Sequence, residues 1–283
     1  MQIFLNCFIL ILNPKLSPPV FQLIAGVILS LIISLISYRL KYLTLNGSIA
    51  QFFLGSLLFG LGGLKWSVPI IVFFFLSSII SKIRRKYNPG VDSFFEKTGT
   101  RDIYQVLANG GIAGLLIIVY QFYSSELLYA VYVSSLAVFC SDTWATEIGT
   151  MRKAKTVSVI NFKTVDQGVS GGISLAGMFG SLLGAFIIPL SSLSWISKNI
   201  FTFMLVVTVA GIIGSLVDSI LGALVQAQFK CIICGKITEK KFHCNQNSRL
   251  TNGIIWINND AVNLLAGISG GLFYILLNYL LKI

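Results

Sequence analysis

Apolar stretches long enough to cross a bilayer as helix alternate with short polar segments along nearly the whole chain. A hydrocarbon core needs about 20 apolar residues of helix. The strict two-residue alternation of a transmembrane barrel is absent. The pattern therefore predicts an all-α, polytopic transmembrane helix bundle of about eight spans (7–9), at 20–38, 44–64, 66–81, 102–122, 127–147, 170–191, 200–224 and 260–281. Residues 1–19 carry a shorter apolar run with no positive n-region before it and no small-residue cleavage site after it. That reads as an interfacial segment or partial span rather than a signal peptide. Residues 20–283 form one transmembrane domain, with a long polar loop at 225–259.

Composition agrees with this division. Of 283 residues, 55% are hydrophobic and 11% charged, with a mean hydropathy of +0.84, whereas soluble domains carry about 25% charged residues. The formal charge of +11 belongs to a membrane rather than a nucleic-acid partner, because no nucleic-acid motif accompanies it. With the N-terminus outside, 17 of the 21 Lys and Arg residues fall in the loops on one face, as the positive-inside rule requires. An even number of spans then leaves both termini on the other face. Nine of the ten acids share the positive face, although that rule exerts little pull on Asp and Glu. The protein is multi-pass, and a bacterial plasma membrane and a plastid membrane are both compatible.

Four polar segments meet that face. In SDTWATEIG (141–149), Asp142 and Thr146 are spaced i, i+4 on one helical face, with Glu147 further round. Asp218 and Ser219 interrupt an apolar span within GSLVDSILGA. Asn259, Asp260 and Asn263 open the last span. Gly168, Ser170, Gly171 and Gly172 form a glycine-rich stretch near Lys163 that is expected to open a helix. A helix N-terminus of that kind offers amides and a positive dipole end to phosphate; the same glycines could equally serve close helix packing. A carboxylate near lipid costs several kcal/mol unless a partner or polar cavity receives it. Two readings of Asp142 and Asp218 follow: pairing with a Lys or Arg that holds helices together, or binding of Mg²⁺ through carboxylates, with Asp260 and the nearby amides as further oxygen donors. Arg101 reads either as a snorkelling anchor or as a phosphate ligand. Asn109, two turns deeper, reads as interhelical glue.

The 225–259 loop holds Cys231-x-x-Cys234 and, later, His243-Cys244. Zinc bound by thiolates and imidazole and free or redox-active thiols are both open, since the second pair is adjacent rather than spaced. Cys7 and Cys140 read as small apolar residues. No P-loop and no dinucleotide fingerprint occurs in a suitable setting.

RDIYQVLANGG, SDTWATEIG, GVSGGISLAG, GSLVDSILGALVQAQ and NDAVNLLA, in this order and spacing, resemble the multi-pass family that contains human transmembrane protein 19 and the chloroplast phytyl-phosphate kinase of vitamin E synthesis. The resemblance covers about residues 20–281. It implies a phosphotransferase of tocopherol-type isoprenoid metabolism, which converts an isoprenyl monophosphate such as phytyl phosphate to the diphosphate with CTP or another nucleoside triphosphate. On that reading Asp142 and Asp218, with Glu147 or Asp260, would hold Mg²⁺. Arg101, Lys163, Thr146, Ser219, Asn259, Asn263 and the 168–172 segment would bind the phosphates and substrate. A CTP-using lipid kinase, a cytidylyltransferase and a transporter or flippase are the alternatives. Acids gathered toward one face favour an enzyme over a carrier with a midplane site.

Overall fold

The computed structural model describes residues 19–97, 99–197 and 199–281. The expected interfacial segment at 1–19 lies outside them except for Pro19. Among the described residues seven helices are long and apolar enough to cross a membrane: α1 (Val20–Arg39), α2 (Leu45–Tyr87), α3 (Ile103–Phe122), α4 (Glu126–Gly149), α5 (Leu175–Ser192), α6 (Ile200–Leu224) and α7 (Asn259–Leu281). Short strands fill two loops: β1 (Thr156–Ser158), β2 (Thr164–Val165) and β3 (Gly172–Ile173) before α5, and β4 (Gln228–Lys230), β5 (Ile237–Thr238), β6 (Phe242–His243), β7 (Gln246–Asn247) and β8 (Arg249–Asn252) before α7. They make two antiparallel sheets, β2-β1-β3 and β5-β4-β8, and the β6–β7 hairpin.

The 43 residues of α2 would extend about 64 Å if straight, roughly twice the hydrocarbon core. They do not run straight. Gly63 adopts φ 58°, ψ −154°, a conformation essentially confined to glycine, and the chain reverses there. Tyr42, before the first arm, packs edge-on against Phe74 of the second at 6.3 Å between ring centroids. The Lys82 ammonium sits 6.0 Å from the same Tyr42 ring. Seven helices thus make eight passes, with arms 45–62 and 64–87 taking the two spans expected at 44–64 and 66–81. At the reversal, Trp66 stacks on Tyr132 of α4 with centroids 4.6 Å apart, and the Tyr129 hydroxyl donates to the Lys65 carbonyl at 3.0 Å. This aromatic knot ties the turn to the central helix.

α4 is that central helix, buried along most of its length. Small residues let its neighbours close on it. A Cβ added at Gly180 or Gly184 of α5 would stand 2.5 Å from the Trp144 or Cys140 carbonyl oxygen of α4, so the two backbones touch as they do in close membrane helix pairs. Ser141 and Ser181 bridge the same seam at 2.7 Å. Ser135 donates to the Gly267 carbonyl of α7 at 2.9 Å, and the Trp144 indole donates to Ser77 of α2 at 3.1 Å. Large apolar side chains such as Phe21, Leu115, Phe179 and Phe201 point outward as a lipid-facing belt.

Candidate active site

The ends of α2, α4 and α6, the starts of α3 and α7, and the loops before α3, α5 and α7 enclose a cavity of about 480 Å³. Each wall has a local cause. Arg101 is held by its backbone, whose N–H donates to the Tyr42 carbonyl and whose carbonyl accepts from the Thr44 N–H, both at 3.0 Å. Asp102 then starts α3 with a reciprocal cap to Gln105. At the far end of α4, the Gln167 amide donates to the Gly149 carbonyl at 2.8 Å, meeting an acceptor that a helix C-terminus leaves open.

Asp142 and Asp218 enter the cavity from α4 and α6, and their carboxyl groups lie against each other. Oδ2 of Asp218 is buried and makes no hydrogen bond. Among the described residues neither acid forms a salt bridge, so helix-holding ion pairs are not what these two carboxylates make. Two adjacent carboxylates without a cationic side chain are costly. That donor set suits a hard divalent cation, and Thr146, Ser215, Ser219, Asn259 and Asn263 line the same space with further oxygens.

The other two acids expected here are engaged. Glu147 accepts from Ser81 Oγ and from Arg84 Nε, each at 2.7 Å, and Arg84 also pairs with Asp92. Asp260 pairs with Lys97, whose ammonium reaches Asp102 at 2.9 Å. These contacts tie α2, α4, the 89–97 segment and α7 around the opening.

The cationic wall is formed by Arg85 and Arg101. The Arg101 guanidinium lies 5.9 and 5.7 Å from the rings of Phe73 and Phe74, and it donates to Ser78 Oγ at 3.4 Å. Burial lowers its pKa, against the pull of Glu147, yet arginine stays protonated in proteins. Among the described residues no carboxylate lies within salt-bridge reach of Arg85 or Arg101. Two guanidiniums left this way present forked donors to an anion.

Two expectations are corrected. The 168–172 stretch does not open a helix: it is a turn leading into β3, and α5 begins at Leu175 behind the Ser174 cap. The stretch still reaches the cavity, because Gly171, at φ +79°, presses onto the last turns of α6, where a Cβ would stand 2.5 Å from Ala223 Cβ. Gly168, Ser170, Gly171 and Gly172 all line it. Lys163 does not; it is exposed in the turn between β1 and β2, because the sheet carries it away from α6.

Arg85, Lys97, Asn109 and Glu239 also line the cavity, although the sequence pattern does not mark them as site residues. Asn109, expected to join helices, has a buried Oδ1 that makes no hydrogen bond. Glu239 accepts from Ser170 Oγ and Gln226 Nε2 at 2.7 Å and from the Glu96 N–H at 3.1 Å. Its carboxyl pKa is raised by burial, which outweighs those three hydrogen bonds. In the sequence Arg85 and Glu239 sit inside charge-rich runs, KIRRK and TEKK, where no local signal marks one charge from the next. The four potential zinc ligands Cys231, Cys234, His243 and Cys244 gather outside the cavity, in the loop before α7.

The arrangement extends over nearly the whole chain, and so do its relatives. Protein PGR of Arabidopsis thaliana is 30% identical over 272 residues, covering 88% of this chain and 93% of that protein. An uncharacterized membrane protein of Methanocaldococcus jannaschii is 28% identical over 90% of this chain and 94% of its own. Protein VTE6, chloroplastic, of Arabidopsis thaliana is 27% identical over 79% of this chain and 61% of its own length. No solved structure matches. The model of the integral membrane protein DUF92 family matches residues 28–271, a range that holds every side chain lining the cavity, and the chain belongs to that family.

Proposed function

We propose that the cavity transfers the γ-phosphoryl group of a nucleoside triphosphate to an isoprenyl monophosphate, making the diphosphate. The observation that carries this is the pairing, in one cavity, of two facing carboxylates without a cationic partner and two guanidiniums without an anionic one among the described residues. Phosphoryl transfer needs positioning and charge neutralisation more than covalent help. The resemblance to a family with a chloroplast phytyl-phosphate kinase supplies the substrate class.

Asp142 and Asp218 would hold Mg²⁺, which would supply positive charge against the nucleotide phosphates. Arg85 and Arg101 grip the phosphates with their forked donors. An oxygen of the acceptor monophosphate, already anionic at neutral pH, forms the new P–O bond to the γ-phosphorus. The bond to the β-phosphate oxygen breaks, and nucleoside diphosphate leaves. No strong base is required. Glu147 and Asp260 act as positioning residues through Arg84 and Lys97. The isoprenyl tail stays among the apolar helices while its head meets the charged face.

Membranes containing the protein are incubated with phytyl phosphate or geranylgeranyl phosphate and labelled nucleotides. Label from the γ-position in the lipid product is the expected result. Cytidine label in the lipid would mean a cytidylyltransferase, and no labelled lipid across both acceptors would leave transport; either overturns the kinase reading.

A further inference from the structure

The loop between α6 and α7 carries a second constellation that the phosphoryl-transfer chemistry does not use. Cys231 follows β4 and Cys234 lies in the turn to β5. The Gly235 N–H donates to the Cys231 carbonyl at 3.0 Å, and the Cys231 N–H to the Lys236 carbonyl at 2.9 Å. The Cys234 N–H points at Cys231 Sγ at 3.5 Å. Gly235 closes the turn at φ +71°, a conformation glycine adopts without cost. This knuckle turns both sulfurs to one side.

His243 and Cys244 come from the β6–β7 hairpin. Adjacent residues of a strand point to opposite faces, which argues against two neighbouring ligands. Here the strand ends between them. Cys244 and Asn245 have φ +51° and +59°, the left-handed pair of a tight two-residue hairpin turn, and this swings Cys244 back beside the imidazole. His243 Nδ1 lies 3.2 Å from Cys244 Sγ and 3.6 Å from Cys234 Sγ. One ligand atom from each of Cys231, Cys234, His243 and Cys244 falls within 4.8 Å of all the others. Tetrahedral Zn²⁺, with Zn–S about 2.3 Å and Zn–N about 2.0 Å, sets its ligand atoms roughly 3.5–3.8 Å apart.

We propose that Cys231, Cys234, His243 and Cys244 bind one structural Zn²⁺. Three thiolates and an imidazole close a tetrahedral site with no open position, the form of structural rather than catalytic zinc. The strands it would join are two to four residues long, too short for independent stability, and a metal cross-link supplies what so small a core lacks. The beneficiary is the cavity wall. At the end of β5, Thr238 Oγ1 donates to the Ser93 and Phe94 carbonyls at 3.0 Å, and the Glu239 N–H donates to the Phe94 carbonyl at 2.8 Å. The zinc therefore fixes the hairpin that brings Glu239 against Ser170.

The full chain, purified in detergent from zinc-supplied cells, is analysed by elemental mass spectrometry beside Cys231→Ser/Cys234→Ser and Cys140→Ser, the latter a buried thiol of α4. About one zinc per chain in the wild type and in Cys140→Ser, with most of it lost in the double variant, is expected. Wild-type protein holding no more zinc than the double variant would overturn the site. Titrating Co²⁺ into metal-stripped wild-type protein that remains monodisperse separates loss of the ligands from a folding defect of the double variant. Thiolate-to-cobalt charge-transfer absorption with tetrahedral d–d bands is expected, and their absence equally overturns the site.

Discussion

At the scale of single residues, the sequence marks charges only where their surroundings are apolar. Asp142 and Asp218 stand out because hydrophobic helix surrounds them, and both line the cavity. Arg85 and Glu239 do the same and were invisible, since each sits in a charge-rich run where no local signal marks one charge from the next. The phosphotransferase reading places Asp142 and Asp218 on the metal, so Asp142→Asn or Asp218→Asn should lower γ-label transfer at least about 100-fold, with unchanged membrane insertion by fractionation. Near-normal turnover in either would remove that residue from the mechanism. Glu239 yields a different test. Its carboxyl pKa is raised in the fold by burial, so its contribution to stability is fully present below the ordinary glutamate pKa of about 4.3 and is lost as pH rises through the raised value. Glu239→Gln cannot titrate. Melting temperature in detergent should fall less steeply with rising pH in that window for Glu239→Gln than for the wild type, and identical slopes would show that the carboxyl is not strained by burial.

At the scale of elements, span positions were legible to within a few residues because membrane thickness dictates helix length. The one marked error, at Gly168–Gly172, has a physical reason: glycines that serve a turn and glycines that open a helix look alike until the chain around them is placed. What decides here is Gly171 at φ +79°, pressed on α6. The reversal at Gly63 and the α4–α5 seam rest on small residues too, for opposite reasons. Gly63 is required for its backbone angles; Gly63→Ala should cost about 1–3 kcal/mol. Gly184 has ordinary helical angles but no room, so Gly184→Val should push α4 from α5 and cost a similar amount, about 1–3 kcal/mol, by overpacking. Gly111 has nothing within 4 Å of an added Cβ, so Gly111→Ala should leave the melting temperature unchanged or slightly raised. Thermal melts of the three in one detergent separate these causes. Equal melting points for Gly184→Val and Gly111→Ala would mean that the α4–α5 contact is not tight.

At the scale of the whole molecule, the charge asymmetry and the cavity describe the same face. Every salt bridge among the described residues, from Arg84 to Asp260, lies at the end where the cavity opens, while the opposite end is held by the Trp66, Tyr129 and Tyr132 rings. The proposed transfer of a phosphoryl group from a soluble nucleotide to a membrane-held acceptor needs this polarity, with the reacting phosphates at the water boundary and the tail beside the helices. Eight passes then require the Gly63 reversal, the α3–α4 turn, the α5–α6 turn and the end of α7 to share the other side of the membrane. A seven-pass chain with a straight α2 would instead put the α1–α2 turn on the side opposite the ends of α4 and α6. Reporter fusions distinguish the two. Alkaline phosphatase, active only outside, joined after Leu40 or after Arg152, beyond α4, should be inactive, and joined after Leu281 active; a fluorescent protein that matures only inside should give the reverse. Opposite locations for the fusions after Leu40 and after Arg152 would overturn the reversal at Gly63, and with it the contact between Tyr42 and Phe74 that brings both arms of α2 to the cavity face.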